Sequence, residues 1–506
     1  MELLSNIGLG LSVAAQPTNI LFAFVGALIG TLIGVLPGLG PLATLSMLLP
    51  ITFYLQPVTA LIMLAGIYYG AQYGGSTTAI LVNLPGESSA VVTCIDGHQM
   101  ARQGRAGAAL AVAGLGSFFA GTIATLVIAA LVQPLTELAL TFGAAEYFSL
   151  MVLGLVAAVV MSRGSIVKAL AMIVLGLMLG LIGTDIHSGI PRYTFGIPEL
   201  FDGLDFVIVA VGMFGLGSII VSLEQKEDAQ SVNVLKGKIT GLWPTREDFR
   251  LAWPASLRGT LLGCTLGVLP GGGAVLSSFA AYSMERKLAK DPSRFGKGAI
   301  EGVAGPESAN NAGAQTAFIP MLTLGIPPNP VMALMVGAMM IHGVRPGPQV
   351  LEQRPDIFWG LIASMWIGNL MLIVINLPLI GIWVRLLQVP YRLLFPAILL
   401  FSSIGVYSVH NNVTEVCLTA GFAVLGYVFT KLGCEPAPLA LGFVLGSLLE
   451  ETLKRAMLLS RGDPLIFLQR PISAVLLIAA AVILVAVLLP NIRKGREQAF
   501  KEDQPT

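Results

Sequence analysis

GALIGTLIGVLPGLGP, residues 26–41, returns as GTLLGCTLGVLPGGGA at residues 259–274, with every matched position at one constant shift. Both copies read G-x-x-x-G-x-x-x-G-V-L-P-G-x-G. Small residues four apart are common wherever membrane helices pack closely, which accounts for the three leading glycines. It does not account for the identical run of glycine, Val, Leu, Pro and glycine that follows, so we read a true internal repeat. Proline lacks a backbone N–H and glycine admits positive φ. A helix entering the motif therefore cannot run unbroken through Leu-Pro-Gly-Leu-Gly-Pro. The expected form is helix, unwound turn, helix. Inside a membrane such backbone is tolerated only within protein or along a wet cavity.

The rest of the chain suits that setting. Of its 506 residues, 55% are hydrophobic and 11% charged, and the mean hydropathy is +0.82. A soluble domain is about 45–50% apolar and about 25% charged. Residues 151–161, 169–182, 206–221, 357–377 and 474–489 are nearly charge-free. With their flanks they approach the ~20 residues needed to cross the hydrocarbon core, and the chain holds roughly 12–14 such segments. Period-two alternation is absent, so the expectation is an all-α polytopic membrane protein rather than a barrel. A net charge of +1 favours no nucleic-acid partner. Residues 1–17 lack the basic start of a cleaved signal, so insertion through the first helix, near residues 20–34, is expected. Cys94, Cys264, Cys417 and Cys434 are scattered and read as packing residues, with no transition-metal site.

Loop charges orient the chain. Residues 98–105, 163–168, 285–297 and 491–496 are basic and are placed in the cytoplasm, with the C-terminus. Residues 185–205 lean acidic and are placed outside. The turn after the first copy of the motif, residues 53–57, is uncharged, whereas residues 285–297 after the second are strongly basic. Opposite membrane sides would produce that contrast, so the two repeats are expected to be inverted, with broken or re-entrant helices, as in many secondary transporters. The expected division is a first half at residues 1–223, a polar cytoplasmic connector at 224–252, a second half at 253–450, and a C-terminal helix and tail at 451–506.

Four breaks carry the expected chemistry. Half-helices leaving the Leu-Pro-Gly turns offer free N–H groups and partial positive charge to an anion. A second pair of polar patches follows: YGGSTTAILVNLPGE at residues 73–87, and GPESANNAGAQT at 305–316 leading to LGIPPNP at 324–330. Free N–H groups suit carboxylates, whereas side-chain oxygens and unwound carbonyls suit Na⁺. The candidate substrate contacts are Pro37, Gly38, Leu39, Gly40, Thr44, Ser76, Thr77, Pro270, Gly271, Gly272, Gly273, Ser277, Pro327 and Asn329. The candidate ion contacts are Gly75, Thr78, Asn83, Glu87, Glu307, Asn310, Asn311 and Thr316. Glu87 and Glu307 read as lying inside breaks, where an ionisable residue is functional by default. A lone Thr93 more simply bonds a neighbouring helix. Asp96 reads equally as a cap or as functional. His98, His187, His342 and His410 form no ligand cluster.

No G-x-x-x-x-G-K-[ST] phosphate loop and no H-E-x-x-H occur, and Gly75-Ser76 lacks the context of a nucleophile elbow. An ion channel or an intramembrane lipid-handling enzyme is the alternative class. A channel calls for rings of like charge or a hydrophobic gate, and paired broken helices fit alternating access better.

At these motifs the chain resembles a known family. LPGLGP (36–41), YGGSTTAILVNLPGE (73–87), DGHQMARQGRAGAAL (96–110), LPGGGA (269–274), FGKGAIEGVAGPESANNAGA (295–314) and LTLGIPPNP (322–330) are similar to the large membrane subunit of bacterial tripartite tricarboxylate transporters. Pro328-Asn329-Pro330 departs from the glycine and small polar residue more usual there. The resemblance implies a permease of the bacterial inner membrane working with a periplasmic solute-binding protein and a small membrane subunit of a few helices. It implies uptake of a citrate-like or other organic carboxylate, driven by an ion gradient, usually Na⁺, and no enzymatic cofactor.

Overall fold

The computed structural model describes residues 2–36, 40–162, 165–185, 188–225, 243–269, 273–386 and 391–488. The first half contains α1 (Glu2–Ala14), α2 (Pro17–Gly34), α3 (Pro41–Thr52), α4 (Pro57–Val82), α5 (Val91–Met100), α6 (Ala106–Leu140), α7 (Ala144–Met161), α8 (Ile166–Gly180), α9 (Phe206–Ala210) and α10 (Gly217–Gln225). The second contains α11 (Arg246–Leu266), α12 (Gly273–Leu288), α13 (Glu301–Thr316), α14 (Phe318–Leu324), α15 (Pro330–Ile341), α16 (Gln349–Gln353), α17 (Pro355–Asn376), α18 (Ile380–Leu386), α19 (Tyr391–His410), α20 (Val413–Lys431), α21 (Ala437–Leu459), α22 (Ile466–Gln469) and α23 (Pro471–Leu488). Among the described residues the only strands are the pair Gly183–Thr184 and Pro191–Arg192. The protein is an all-α membrane fold. Proline opens α2, α3, α4, α15 and α17, where its missing N–H costs nothing.

Among the described residues, four helical stretches are long and apolar enough to cross a membrane by themselves, including Pro17–Gly34 and Pro355–Asn376. Others are shorter because the chain breaks them within the bundle. The outer helices turn apolar side chains outward. Val475, Ile478, Val482 and Val485 form such a stripe along α23, as expected where the solvent is lipid.

The glycine motif fixes the packing. α2 runs parallel to α4, with Gly26, Gly30 and Gly34 pressed on the carbonyls of Met63, Ile67 and Ala71. α11 runs parallel to α13, with Gly259, Gly263 and Gly267 on the carbonyls of Gly305, Ala309 and Gly313. A Cβ at Gly263 would lie 2.5 Å from the Ala309 oxygen, so nothing larger than glycine fits. Each glycine helix belongs to a hairpin. Thr59 at the start of α4 donates to Asn19 near the start of α2 at 2.6 Å, and only residues 53–56 separate α3 from α4. α3 therefore returns to the end from which α2 entered. In the second half, Arg258 of α11 donates to both oxygens of Glu285 in α12 at 2.7 and 2.6 Å, tying α12 back alongside α11.

The likeness continues past the motif. Asn83 ends α4 in the left-handed conformation at φ 61°, and Gly325 ends α14 at φ 71°. Leu84-Pro85 and Ile326-Pro327 follow at the same register as the Met63/Gly305 and Ile67/Ala309 pairs. This register is longer than that of the glycine motif, and the added residues fall in the loop at 289–300. That loop is held from the other half. Asp96 of α5, fully buried, accepts from the N–H groups of Gly296, Gly298 and Ala299 at 2.9, 2.8 and 2.8 Å, and from the Tyr282 hydroxyl at 2.9 Å. Gln103 donates to the Lys297 carbonyl at 2.8 Å, and Arg105 pairs with Asp248. The uncharged residues 53–56 meet a different neighbourhood. The Tyr54 hydroxyl donates to the Ser408 carbonyl, and Phe53 lies against the His410 ring.

Candidate substrate and cation site

The two kinds of break touch each other in each half. Gly40, in extended conformation, caps α3, and a Cβ there would lie 3.6 Å from the Gly86 carbonyl oxygen. Gly86 is packed on the Gly34 carbonyl and on Gly75, so the second break fits into the mouth of the first. On the other side Gly273, at φ 35°, has the Asn329 amide nitrogen 3.6 Å from its Cβ position. Asn329 caps α15 by accepting from the Met332 N–H at 2.9 Å.

Several other expected contacts lie around these points. The Thr44 hydroxyl donates to the Gly40 carbonyl at 3.0 Å and the Ser277 hydroxyl to the Gly273 carbonyl at 2.6 Å. Thr78 donates to the Val35 carbonyl at 2.8 Å, satisfying an oxygen left over where α2 ends. Thr316 donates to the Ala312 carbonyl at 2.9 Å and to Gly263 at 3.3 Å, binding α13 to α11. Asn83 is exposed, and its left-handed conformation marks it as the C-terminal stop of α4. Pro37, Gly38, Leu39, Pro270, Gly271 and Gly272 lie outside the described residues.

One expectation needs correction. Glu307 is not in a break: it sits within α13, every residue of which is buried. Glycine, Pro306, Ser308 and two asparagines have poor helix propensity, but packing on all sides outweighs it. Glu87 does lie in a break, at the extended residue before Ser88.

Those two carboxyl groups bring the halves together. Ser76 of α4 donates to Glu307 Oε2 at 2.6 Å, and Thr93 of α5 donates to Oε1. Asn310, one turn beyond Glu307, donates from Nδ2 to Glu87 Oε1 at 2.9 Å. The Gly75 Cβ position lies 3.3 Å from Glu87 Cγ, so neighbouring residues of α4 touch both acids. Asn311 donates to the Ser117 hydroxyl of α6 at 2.6 Å. Among the described residues neither acid has a Lys, Arg or His within ion-pair distance. Asn310 Oδ1, wholly buried, has no partner. Two carboxylates in a low-dielectric interior cost several kcal/mol each unless each is met by a proton or a cation. The arrangement can take cations or protons at the acids and an anion at the helix starts nearby.

The sequence model of the Tripartite tricarboxylate transporter TctA family matches residues 20–441. The chain belongs to this family. The match spans the glycine motifs, all four breaks and both acids. TctA proteins are transporter components, so this membrane protein is a component of a tripartite tricarboxylate transporter. A protein of Agrobacterium vitis described as "Uncharacterized 52.8 kDa protein in TAR-I ttuC' 3'region" is 58% identical over 503 residues, covering 99% of this chain and all of that protein. Another from Agrobacterium vitis, "Uncharacterized protein in TAR-II ttuC' 3'region", is 61% identical over 241 residues, 48% of this chain and all of its own length. No solved structure matches.

Thr93 does bond a neighbouring helix, but that bond ends on Glu307, which places it in the candidate site. Tyr73, Ser117 and Asn376 were not legible as site residues. Each is a polar side chain in an apolar helix, and only the packing of α4, α6, α13 and α17 brings them beside Glu307.

Proposed function

We propose that this TctA chain forms the transport pathway of a binding-protein-dependent secondary importer, carrying a tricarboxylate or another organic carboxylate together with cations, Na⁺ foremost. The observation that carries the proposal is the meeting of Glu87 and Glu307 from opposite halves, bridged by Asn310 and Ser76 and, among the described residues, without a basic partner. A multiply charged anion entering beside two acids would be repelled unless cations bound with it. Helix N-termini at α3 and α12 each supply about half a charge, worth ~0.3–1 kcal/mol and up to ~2 when partly buried. That is too little alone, so substrate affinity depends on the cations, which is the thermodynamic basis of symport.

In this reading residues 1–223 and 253–450 are inverted repeats joined by the polar connector 224–252, and residues 451–506 add a C-terminal helix and tail. The different neighbours of the two hairpins support it: residues 53–56 of one meet Ser408, and the loop at 289–300 of the other meets Asp96. The basic end and the C-terminus are cytoplasmic, and the membrane is the bacterial inner membrane. The tripartite family supports a periplasmic solute-binding protein and a small membrane subunit as partners. The test is uptake of labelled citrate and related acids into proteoliposomes holding the complete transporter. An inward Na⁺ gradient accelerates uptake if the reading is right. Equal uptake in choline, independent of pH, contradicts it.

A further inference from the structure

A small, partly open space lies beside Glu307; Tyr73, Ser76 and Thr77 of α4, Ser117 of α6, Glu307 of α13 and Asn376 of α17 form its polar wall, and Ile80, Leu110, Ala113 and Leu377 its apolar one. Among the described residues, no break residue lines it. Its lining is unbalanced in a particular direction. The Tyr73 hydroxyl and Asn376 Oδ1, on residues each 5% exposed, have no hydrogen-bond partner. Asn376 spends its own donor elsewhere, giving Nδ2 to the Leu372 carbonyl at 3.0 Å and to Thr31 at 3.4 Å. Its oxygen can therefore only accept. Ser76 gives its proton to Glu307 and keeps lone pairs. Glu307, 1% exposed, receives two hydroxyl bonds and no compensating charge. A water could serve as donor to these oxygens but would leave the carboxylate's charge in place. A cation satisfies the oxygens and the charge together.

We propose that this space is a monovalent-cation site, with Glu307 as its charged ligand and Tyr73, Ser76 and Asn376 as its neutral oxygens. The donors are hard oxygens, which suit Na⁺. A single carboxylate lines the space, so a divalent ion would leave an unpaired buried charge. The room is that of about one water molecule, which favours Na⁺ over K⁺. The site rests on the cation-coupled reading above and adds to it a second location, apart from Glu87 and Asn310.

The experiment is binding of radioactive sodium to the full-length chain in nanodiscs, competed with Li⁺, K⁺ and choline, with thermal unfolding as the folding control. Tyr73→Phe and Asn376→Leu are each expected to weaken binding about tenfold. Asn376→Asp, which keeps an oxygen toward the space, is expected to restore it. Unchanged binding in Tyr73→Phe and Asn376→Leu, with weakened binding in Asn310→Ala, would overturn the site while leaving Na⁺-coupled import intact. Absence of sodium binding to the unaltered chain would remove both.

Discussion

The hairpin of α2 and α3 and the hairpin of α11 and α12 are alike in how they pack and unlike in the charges around them. Gly26, Gly30 and Gly34 meet α4 as Gly259, Gly263 and Gly267 meet α13. At the register that pairs Met63 with Gly305, however, Glu307 stands opposite Ala65, Glu87 opposite Asn329, and Asp96 opposite Ala338. The scaffold occurs twice and each acid once. A repeated backbone can hold one asymmetric site at its centre, because the repeat supplies the breaks and single substitutions supply the chemistry. The ends differ in the same way. Residues 289–300 are locked by Asp96, while residues 53–56 rest on the Tyr54–Ser408 hydrogen bond and the contact of Phe53 with the His410 ring.

The largest expected effect probes the shared part. Gly30→Leu and Gly259→Leu drive a side chain into the Ile67 and Gly305 carbonyls, and backbone cannot yield there. Both variants should lose more than about 3 kcal/mol and fail to accumulate as folded protein, read by size-exclusion of detergent extracts. Tolerance of one and not the other would break the equivalence of the hairpins.

A smaller effect belongs to the clamp. Asp96→Ala leaves three N–H groups and the Tyr282 hydroxyl without their acceptor. A loss of about 2–3 kcal/mol is expected, and Asp96→Asn should recover part of it. Thermal unfolding measures both. Equal stability of Asp96→Ala and the unaltered chain would show that the loop is held some other way.

The smallest effect separates the partners Glu87 and Asn329. Asn329→Ala removes the cap on α15 and should cost about 1 kcal/mol of stability, while the Na⁺ dependence of uptake stays unchanged. A shift in that dependence would move Asn329 from capping into the ion site.

Much of this was legible in the sequence for a physical reason. Pro-Gly breaks in apolar helices are local events, so the ends of α2 at Gly34 and α11 at Leu266 and the stops near Pro85 and Pro327 could be read directly. The identical motif copies exposed the repeat. Glu87 and Glu307 stood out because acids in membrane helices are costly. What the sequence hid depends on long-range packing. GPESANN looks like a loop, yet burial on every side holds it helical. Asp96 needed knowledge of where residues 296–299 lie. Tyr73, Ser117 and Asn376 sit on three separate helices, and only their convergence marks them.

The most direct test of the central claim is the Na⁺ half-saturation of carboxylate uptake by the complete transporter, measured for Glu87→Gln, Glu307→Gln and the double variant. Each single change is expected to raise the half-saturation about tenfold or more. The double should depart from the product of the two, because Asn310, one turn from Glu307 on α13, bonds Glu87, and cations at both acids offset the charge of one substrate. Folded single variants that keep the unaltered half-saturation would contradict the account, and the cations would then have to bind away from the contact between the halves.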